Sequence, residues 1–179
     1  MKLMPAIRKM REDDLEQVLD WRNSPSVRRN MFNQGEISLR DHRDWFTKIS
    51  AVPEQYHLLI LEKNGSNQGF ISFELSKYNF VTWGFYKAPE AEHGTGSDLG
   101  VEGLKYAFNQ IQTHKVIGEV IEYNDKSIAF HKRLGFQQEG TLRDQYSHSD
   151  AYFDILSFGL LNTEWQQIRE VCNEQKNND

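Results

Sequence analysis

The chain has 179 residues, 38% of them hydrophobic and 12% aromatic, enough to fill one sizeable core in a single domain over 1–179. A net charge of −5 leaves no electrostatic footprint for non-specific nucleic-acid binding, so no nucleic-acid partner is expected. A lone cysteine, Cys172, excludes an intrachain disulfide framework, and no apolar run has the length of a membrane span or a signal peptide; a soluble, cytoplasmic protein without a membrane partner is expected.

Residues Ala6–Met10 read as a short strand. Leu15, Val18, Leu19 and Arg22 then recur at helical spacing behind Asp13 and Asp14, acids that the positive end of a helix dipole favours. Asn23-Ser24-Pro25 ends that helix, and Ser38 caps a second one running to Ser50, with Leu39, His42, Phe46 and Ile49 on one face. Tyr56–Lys63 reads as a strand, turned by Asn64-Gly65 into Gln68–Ser76. Phe80–Lys87 is apolar on both faces, as a covered central strand is. A loop from Ala88 to Gly96 leads into a helix with the stripe Leu104, Ala107, Phe108 and Ile111. Lys115–Tyr123 is a strand, Asn124–Leu134 a helix stopped by Gly135, and Phe136–Tyr146 with Ala151–Leu161 a final hairpin. A helix around Trp165 follows, and the polar end from Asn173 to Asp179 is expected to fray. This order predicts one α/β domain on a mixed sheet, not a doubly wound parallel one.

The segment from Trp83 to Leu104 is the most informative. A buried strand runs into His93-Gly94-Thr95-Gly96, which opens an amphipathic helix. Glycines let backbone approach a ligand, and the first amides of a helix have nothing to bond, so the turn suits a pyrophosphate. It lacks the third glycine of a dinucleotide fingerprint and the lysine of a P-loop.

Several polar groups fall on faces that read as buried. Glu119 shares the face of Ile117 and Ile121 on a central strand; burial would raise its pKa and suit it as a general base, whereas an arginine partner or the exposed end of a splayed sheet would make it structural. Arg22 closes an apolar stripe, either offering its fork to a phosphate at a cleft mouth or snorkelling at the helix end. His42 sits within the Leu39–Phe46 stripe, where a satisfied core histidine is the competing reading, and Ser72 and Glu74 share a strand face with Phe70.

One strand beyond the glycine turn comes Asn124-Asp125-Lys126-Ser127-Ile128-Ala129-Phe130-His131-Lys132-Arg133-Leu134-Gly135-Phe136. Together the two elements resemble the GCN5-related N-acetyltransferase (GNAT) superfamily: its coenzyme A pyrophosphate loop, then its Asn-x-x-[Ser/Ala]-x-x-x-[Tyr/His]-x-x-x-Gly-Phe helix. The resemblance covers residues 6 to 160, with a C-terminal helix and polar tail over 161–179. It implies an α/β fold of the α+β kind, with a mixed, mostly antiparallel sheet of about seven strands flanked by helices. It also implies acetyl-CoA as co-substrate, no metal, and an N-acetyltransferase that transfers directly within a ternary complex. Coenzyme contacts then fall on Phe85, Tyr86, His93, Gly94, Thr95, Gly96 and Asn124. His131 takes the place where the family protonates the departing thiolate, with an imidazole pKa near neutrality; a dipole-stabilising structural histidine is the alternative. One departure is Ala91, where the family usually has Gln or Arg.

Trp21-Arg22-Asn23-Ser24-Pro25, Met31-Phe32 and Trp83-Gly84-Phe85-Tyr86-Lys87-Ala88-Pro89 resemble the branch that acetylates the 4-amino group of a UDP-linked amino-deoxy sugar in pseudaminic acid biosynthesis, a precursor for flagellin glycosylation. That resemblance implies Arg22, His42 and Tyr86 at the nucleotide, and Met31, Phe32, Trp45 and Glu119 at the sugar. Glu74 and Thr82 join them on the acceptor side, and Ser72 stands near the reacting amine. Glu119 or Ser72 then removes the amine proton. Phe32, Thr82 and His131 stand where that branch has tyrosine or tyrosine-like positions. Acetylation of a protein N-terminus or a polyamine is the enzymatic alternative, a non-catalytic acyl-CoA sensor the non-enzymatic one, and a homodimer is left open.

Overall fold

The structure, a computed structural model, describes residues 4–177, with side chains described over 4–170. Cys172 falls outside the described side chains. Seven strands form one sheet in the order β1-β2-β3-β4-β5-β7-β6. They are β1 (Ala6–Lys9), β2 (Tyr56–Lys63), β3 (Ser66–Leu75), β4 (Phe80–Lys87), β5 (Lys115–Ile121), β6 (Gln137–His148) and β7 (Ala151–Leu161). Every neighbouring pair is antiparallel except β4–β5. The helices are α1 (Leu15–Asn23), α2 (Pro25–Arg28), α3 (Leu39–Ser50), α4 (Thr95–Tyr106), α5 (Asp125–Arg133) and α6 (Asn162–Asn177). This is the α/β fold with a mixed sheet that the order of elements predicts. No helix is long and apolar enough to cross a membrane among the described residues.

Local chemistry accounts for the boundaries. Asn64 and Gly65 both take positive φ, 51° and 81°, which closes the β2–β3 hairpin with the twist its strands need. Ser149 and Asp150, at 51° and 61°, do the same between β6 and β7 without a glycine. Ser38 Oγ accepts the amide of Asp41, capping α3. Asn124 Oδ1 accepts the amide of Ser127 and caps α5, which ends at Gly135 with φ 93°. Two of the boundaries that differ from the sequence reading have a local cause. Pro25 does not only end α1; pre-set for a first helical turn, it opens the short α2. The stripe from Leu104 to Ile111 begins in α4 and finishes in a π-helical turn, Ala107–Ile111. At the other end α6 carries the backbone through Asn177, so most of the segment expected to fray is helical.

Two cores sandwich the sheet. On one face Leu59, Leu61, Ile71, Phe73, Val81 and Trp83 pack under α4, α5 and α6. On the other, Ile60 and Phe70 pack under Leu15, Val18 and Trp21 of α1. Strand alternation therefore decides which polar side chains share a chamber. Phe70, Ser72 and Glu74 face the α1–α3 side across from Tyr86, Gly84 and Thr82, and Ile117, Glu119 and Ile121 continue that face.

Candidate active site

The parallel ladder is short. Phe80–Thr82 pair with Lys115–Ile117 and pairing then stops, although β4 continues to Lys87 and β5 to Ile121. The unpaired halves of the two strands line one cavity of about 600 Å³, closed on one side by Met31 and Phe32 and on the other by α5. Of the residues named from sequence, Met31, Phe32, Phe85, Tyr86, Gly96, Glu119, Asn124 and His131 line it. The free edge of β4 offers strand amides and carbonyls to an extended ligand.

The glycine turn lies at one end of the cavity, with Gly96 in its lining. Gly94, at φ 85°, is the N-cap of α4, and a Cβ at Gly94 or Gly96 would meet nothing within 4 Å. That open ground beside first-turn amides is a cradle for an anion. The loop before it is held from β3: Gln68 Oε1 accepts the amide of Glu92 at 2.8 Å. Thr95 departs from expectation, because its side chain is buried against Gln68 and its amide donates to the Glu92 carbonyl. His93 is exposed at the turn. Asn124, expected to touch the coenzyme, spends its side-chain oxygen on the α5 cap, leaving its amide nitrogen for a ligand. Lys126 and Arg133 of α5 also line the cavity and add positive charge to it; their seven-residue spacing puts them on one helix face, a signal the sequence held.

His131 corrects an expectation. Its imidazole is 2% exposed, and burial drives its pKa down from 6.5 to about 4, only partly opposed by the hydrogen bond to Ser127. The ring is therefore neutral at pH 7, not poised near neutrality. Its partners settle the tautomer. Nδ1 lies 2.8 Å from the Ser127 carbonyl, which only accepts, so Nδ1 carries the hydrogen. Nε2 accepts from the indole N–H of Trp83 at 3.0 Å. Neither nitrogen has a proton to offer the cavity.

Glu119 is the second correction. It shares the face of Ile117 and Ile121 as read, but that face is where the strands part, and the carboxylate is exposed. The burial invoked to make it a base is absent; the splayed-sheet alternative describes its position. Ser72, half-buried, donates weakly to the Gly84 carbonyl at 3.4 Å and does not line the cavity. Glu74 accepts from the Tyr56 hydroxyl at 3.0 Å near the closed vertex, opposite half-buried Thr82.

Arg22 and His42 form a separate cluster behind Tyr86. Arg22 is 8% exposed; one Nη donates to the Asn33 carbonyl, while Nη1 is buried with no hydrogen-bond partner among the described residues. His42 is 4% exposed, stacked on Trp45 at 5.0 Å, and its Nε2 is likewise unpartnered. Burial lowers both pKa values, and the Arg22 charge lowers His42 further. Burial raises that of the Tyr86 phenol well above its usual range, with Arg22 opposing. Three polar groups predicted to meet one ligand thus lie together, though Arg22 and His42 sit behind the cavity wall.

The chain resembles known proteins in sequence and in fold. The pattern of the acetyltransferase (GNAT) domain matches residues 6–137. The SPbeta prophage-derived uncharacterized N-acetyltransferase YokL of Bacillus subtilis (strain 168) is 27% identical over 133 residues, 72% of this chain and 74% of that protein. Among solved structures, spermidine N-acetyltransferase from Vibrio cholerae in complex with CoA and spermine superposes with a TM-score of 0.84 at 18% identity, covering 91% of this chain and 98% of that one. A GNAT-family acetyltransferase from Bacillus anthracis gives 0.76 at 21% identity, covering 92% and 98%. With the match spanning most of the chain, the chain belongs to the GNAT acetyltransferases and is an acetyl-CoA-dependent N-acetyltransferase.

Proposed function

We propose that the acetyl group goes to the primary amine of an anion-bearing acceptor, of the UDP-linked amino-sugar class. The observation that carries this reading is the pair of unpartnered buried atoms, Arg22 Nη1 and His42 Nε2, beside Tyr86 on the acceptor face. A buried guanidinium without a counter-charge is costly, and a phosphate supplies that charge with a geometry the fork matches. The strand amides near Phe85 and Tyr86 stabilise the oxyanion as the neutral amine attacks the thioester carbonyl. Glu119, at the open end of β5, takes the amine proton through water, and Ser72 orients the amine from the adjacent strand. Met31, Phe32 and Trp45 contact the sugar. As the tetrahedral intermediate collapses, the C–S bond breaks and coenzyme A leaves as its thiolate, which takes a proton from water and none from His131.

A polyamine acceptor is the second reading. It is supported by the exposed carboxylates of Glu74 and Glu119 on the same face, and by the Vibrio cholerae neighbour, whose bound spermine is a polyamine. Against it stands Arg22, which adds like charge next to any ammonium that reaches Tyr86.

A thiol-release assay with acetyl-CoA across UDP-amino sugars, spermidine and spermine decides. The expected result is turnover of a UDP-amino sugar in preference to both polyamines. Arg22→Ala is expected to raise the acceptor KM by ~10–100-fold, the loss of one charged hydrogen bond, with the acetyl-CoA KM unchanged. Preference for spermidine with a neutral Arg22→Ala variant overturns the acceptor assignment and leaves acetyl transfer standing.

A further inference from the structure

The unpaired half of β4 must be held at a defined distance from β5, and the backbone does not do it. The last ladder partners are Thr82 and Ile117; beyond them the two strands share no register. Trp83, the next residue of β4, reaches over β5 at Gly118 and donates its indole N–H to His131 Nε2 at 3.0 Å. The other ring nitrogen of His131 donates to the Ser127 carbonyl in the first turn of α5, at 2.8 Å. Gly118 is what makes room: a Cβ there would overlap His131 Nε2 and come within 2.8 Å of Trp83 Nε1. The groups packed around the ring are aromatic. Trp83 and Phe85 come from β4, Phe130 from α5, Phe136 from the turn before β6, and Phe158 from β7, stacked at 5.2 Å. None of these five side chains carries charge.

We propose that His131 is a positioning residue: a neutral hydrogen-bonded strut from Trp83 on β4, across Gly118 of β5, to Ser127 on α5, which sets the width of the cleft where the thioester carbonyl meets the β4 amides. The strut takes over from the ladder where the ladder ends. In a buried setting the bond is well defined, because an indole N–H or an imidazole lone pair left unpaired there is costly. Oxyanion stabilisation depends on placement of the strand amides, so the strut acts on the chemical step and little on coenzyme binding. The inference rests on acetyl transfer and is independent of which amine accepts.

Two variants separate a strut from a proton donor. His131→Phe keeps an aromatic ring but offers Trp83 no acceptor. His131→Gln offers its side-chain carbonyl near the position of Nε2 and cannot serve as an acid near neutrality. The expected result is a kcat ~3–10-fold lower for His131→Phe and for Trp83→Phe, with the acetyl-CoA KM within about threefold of wild type and no further loss in the double variant, as for one shared hydrogen bond. His131→Gln is expected to recover much of the rate, and the shape of the kcat–pH profile is expected to match wild type in all three. Equal damage in His131→Gln and His131→Phe with a changed pH profile would make the imidazole the acid and overturn the proposal. A His131→Phe variant with full kcat and only a lower melting temperature would reduce the residue to packing and overturn it equally. Nitrogen-15 NMR of the free protein needs no acceptor: Nδ1 is expected protonated and Nε2 bare throughout pH 5.5–9, and a titration in that window would refute the strut whatever the acceptor proves to be.

Discussion

At the scale of single residues, burial rather than identity decides what the ionisable groups do. Glu119 reads from its strand pattern as covered and His131 from the resemblance as an acid titrating near neutrality, and the structure reverses both. Glu119 ends on the face where β4 and β5 part, in reach of water, while His131 is enclosed by aromatic rings. The cost of charging that enclosed ring predicts a stability signature. A folded pKa of about 4 against 6.5 unfolded means that folding favours the neutral form. The contribution is complete above the unfolded value and is lost as pH falls from about 6.5 through about 4, by up to ~3 kcal/mol. Urea unfolding at pH 7 and at pH 4.5 is therefore expected to show a larger loss for wild type than for His131→Phe. His42 and His57, whose values are lowered in the same direction by burial, are common to both proteins and cancel in the difference. Equal losses in the two proteins would contradict the buried neutral ring.

At the scale of elements, the start of α4 shows how two glycines two residues apart serve different ends. Gly94 takes a left-handed conformation that an L side chain adopts at a cost of about 1–2 kcal/mol, so Gly94→Ala is expected to lower both stability and coenzyme affinity. Gly96 lies in the helix proper with open space where a Cβ would go. Gly96→Ala is expected to leave stability unchanged or raise it by about 0.4–1 kcal/mol, by reducing the freedom of the unfolded chain. With the pyrophosphate proposed to sit on the first-turn amides, the same methyl would stand in its path, and the acetyl-CoA KM is expected to rise several-fold. Thermal melts set beside steady-state kinetics read the two effects separately; an unchanged KM would move the anion site off this helix.

At the scale of the whole molecule, the cleft is the place where the sheet is least continuous. β4 and β5 share three ladder pairs, whereas β3–β4 and β5–β7 share seven each. A coenzyme bound between the open halves bridges the two parts of the sheet that the backbone joins most weakly. Acetyl-CoA at 100 times its dissociation constant is expected to add about 2.7 kcal/mol to unfolding stability. The gain in amide protection is expected to concentrate on Trp83–Lys87, Gly118–Ile121 and the first turn of α5, and to be small in β1 and β2. Hydrogen exchange with and without acetyl-CoA measures this, and uniform protection across the sheet would count against binding at the wedge.

The order of elements, their caps and the glycine turn were legible in the chain because each depends on neighbours in sequence. Period-two and helical stripes mark which residues want cover, Ser38 and Asn124 announce helix starts, and the Gly94–Gly96 turn opens a helix after a strand. Strand alternation also put Glu119 with Ile117 and Ile121 correctly. It could not say whether that face was covered, since cover comes from residues far along the chain. The same limit left open whether Arg22 snorkels or is enclosed where α1, α3 and β4 converge, and it hid the room at Gly118 that lets Trp83 meet His131. Where a parallel ladder stops after three pairs is likewise decided by packing on both faces of the sheet. Pattern fixes which side of an element a residue takes; only the assembled sheet determines whether that side meets solvent, a ligand or an aromatic wall, and so which protonation state the residue holds.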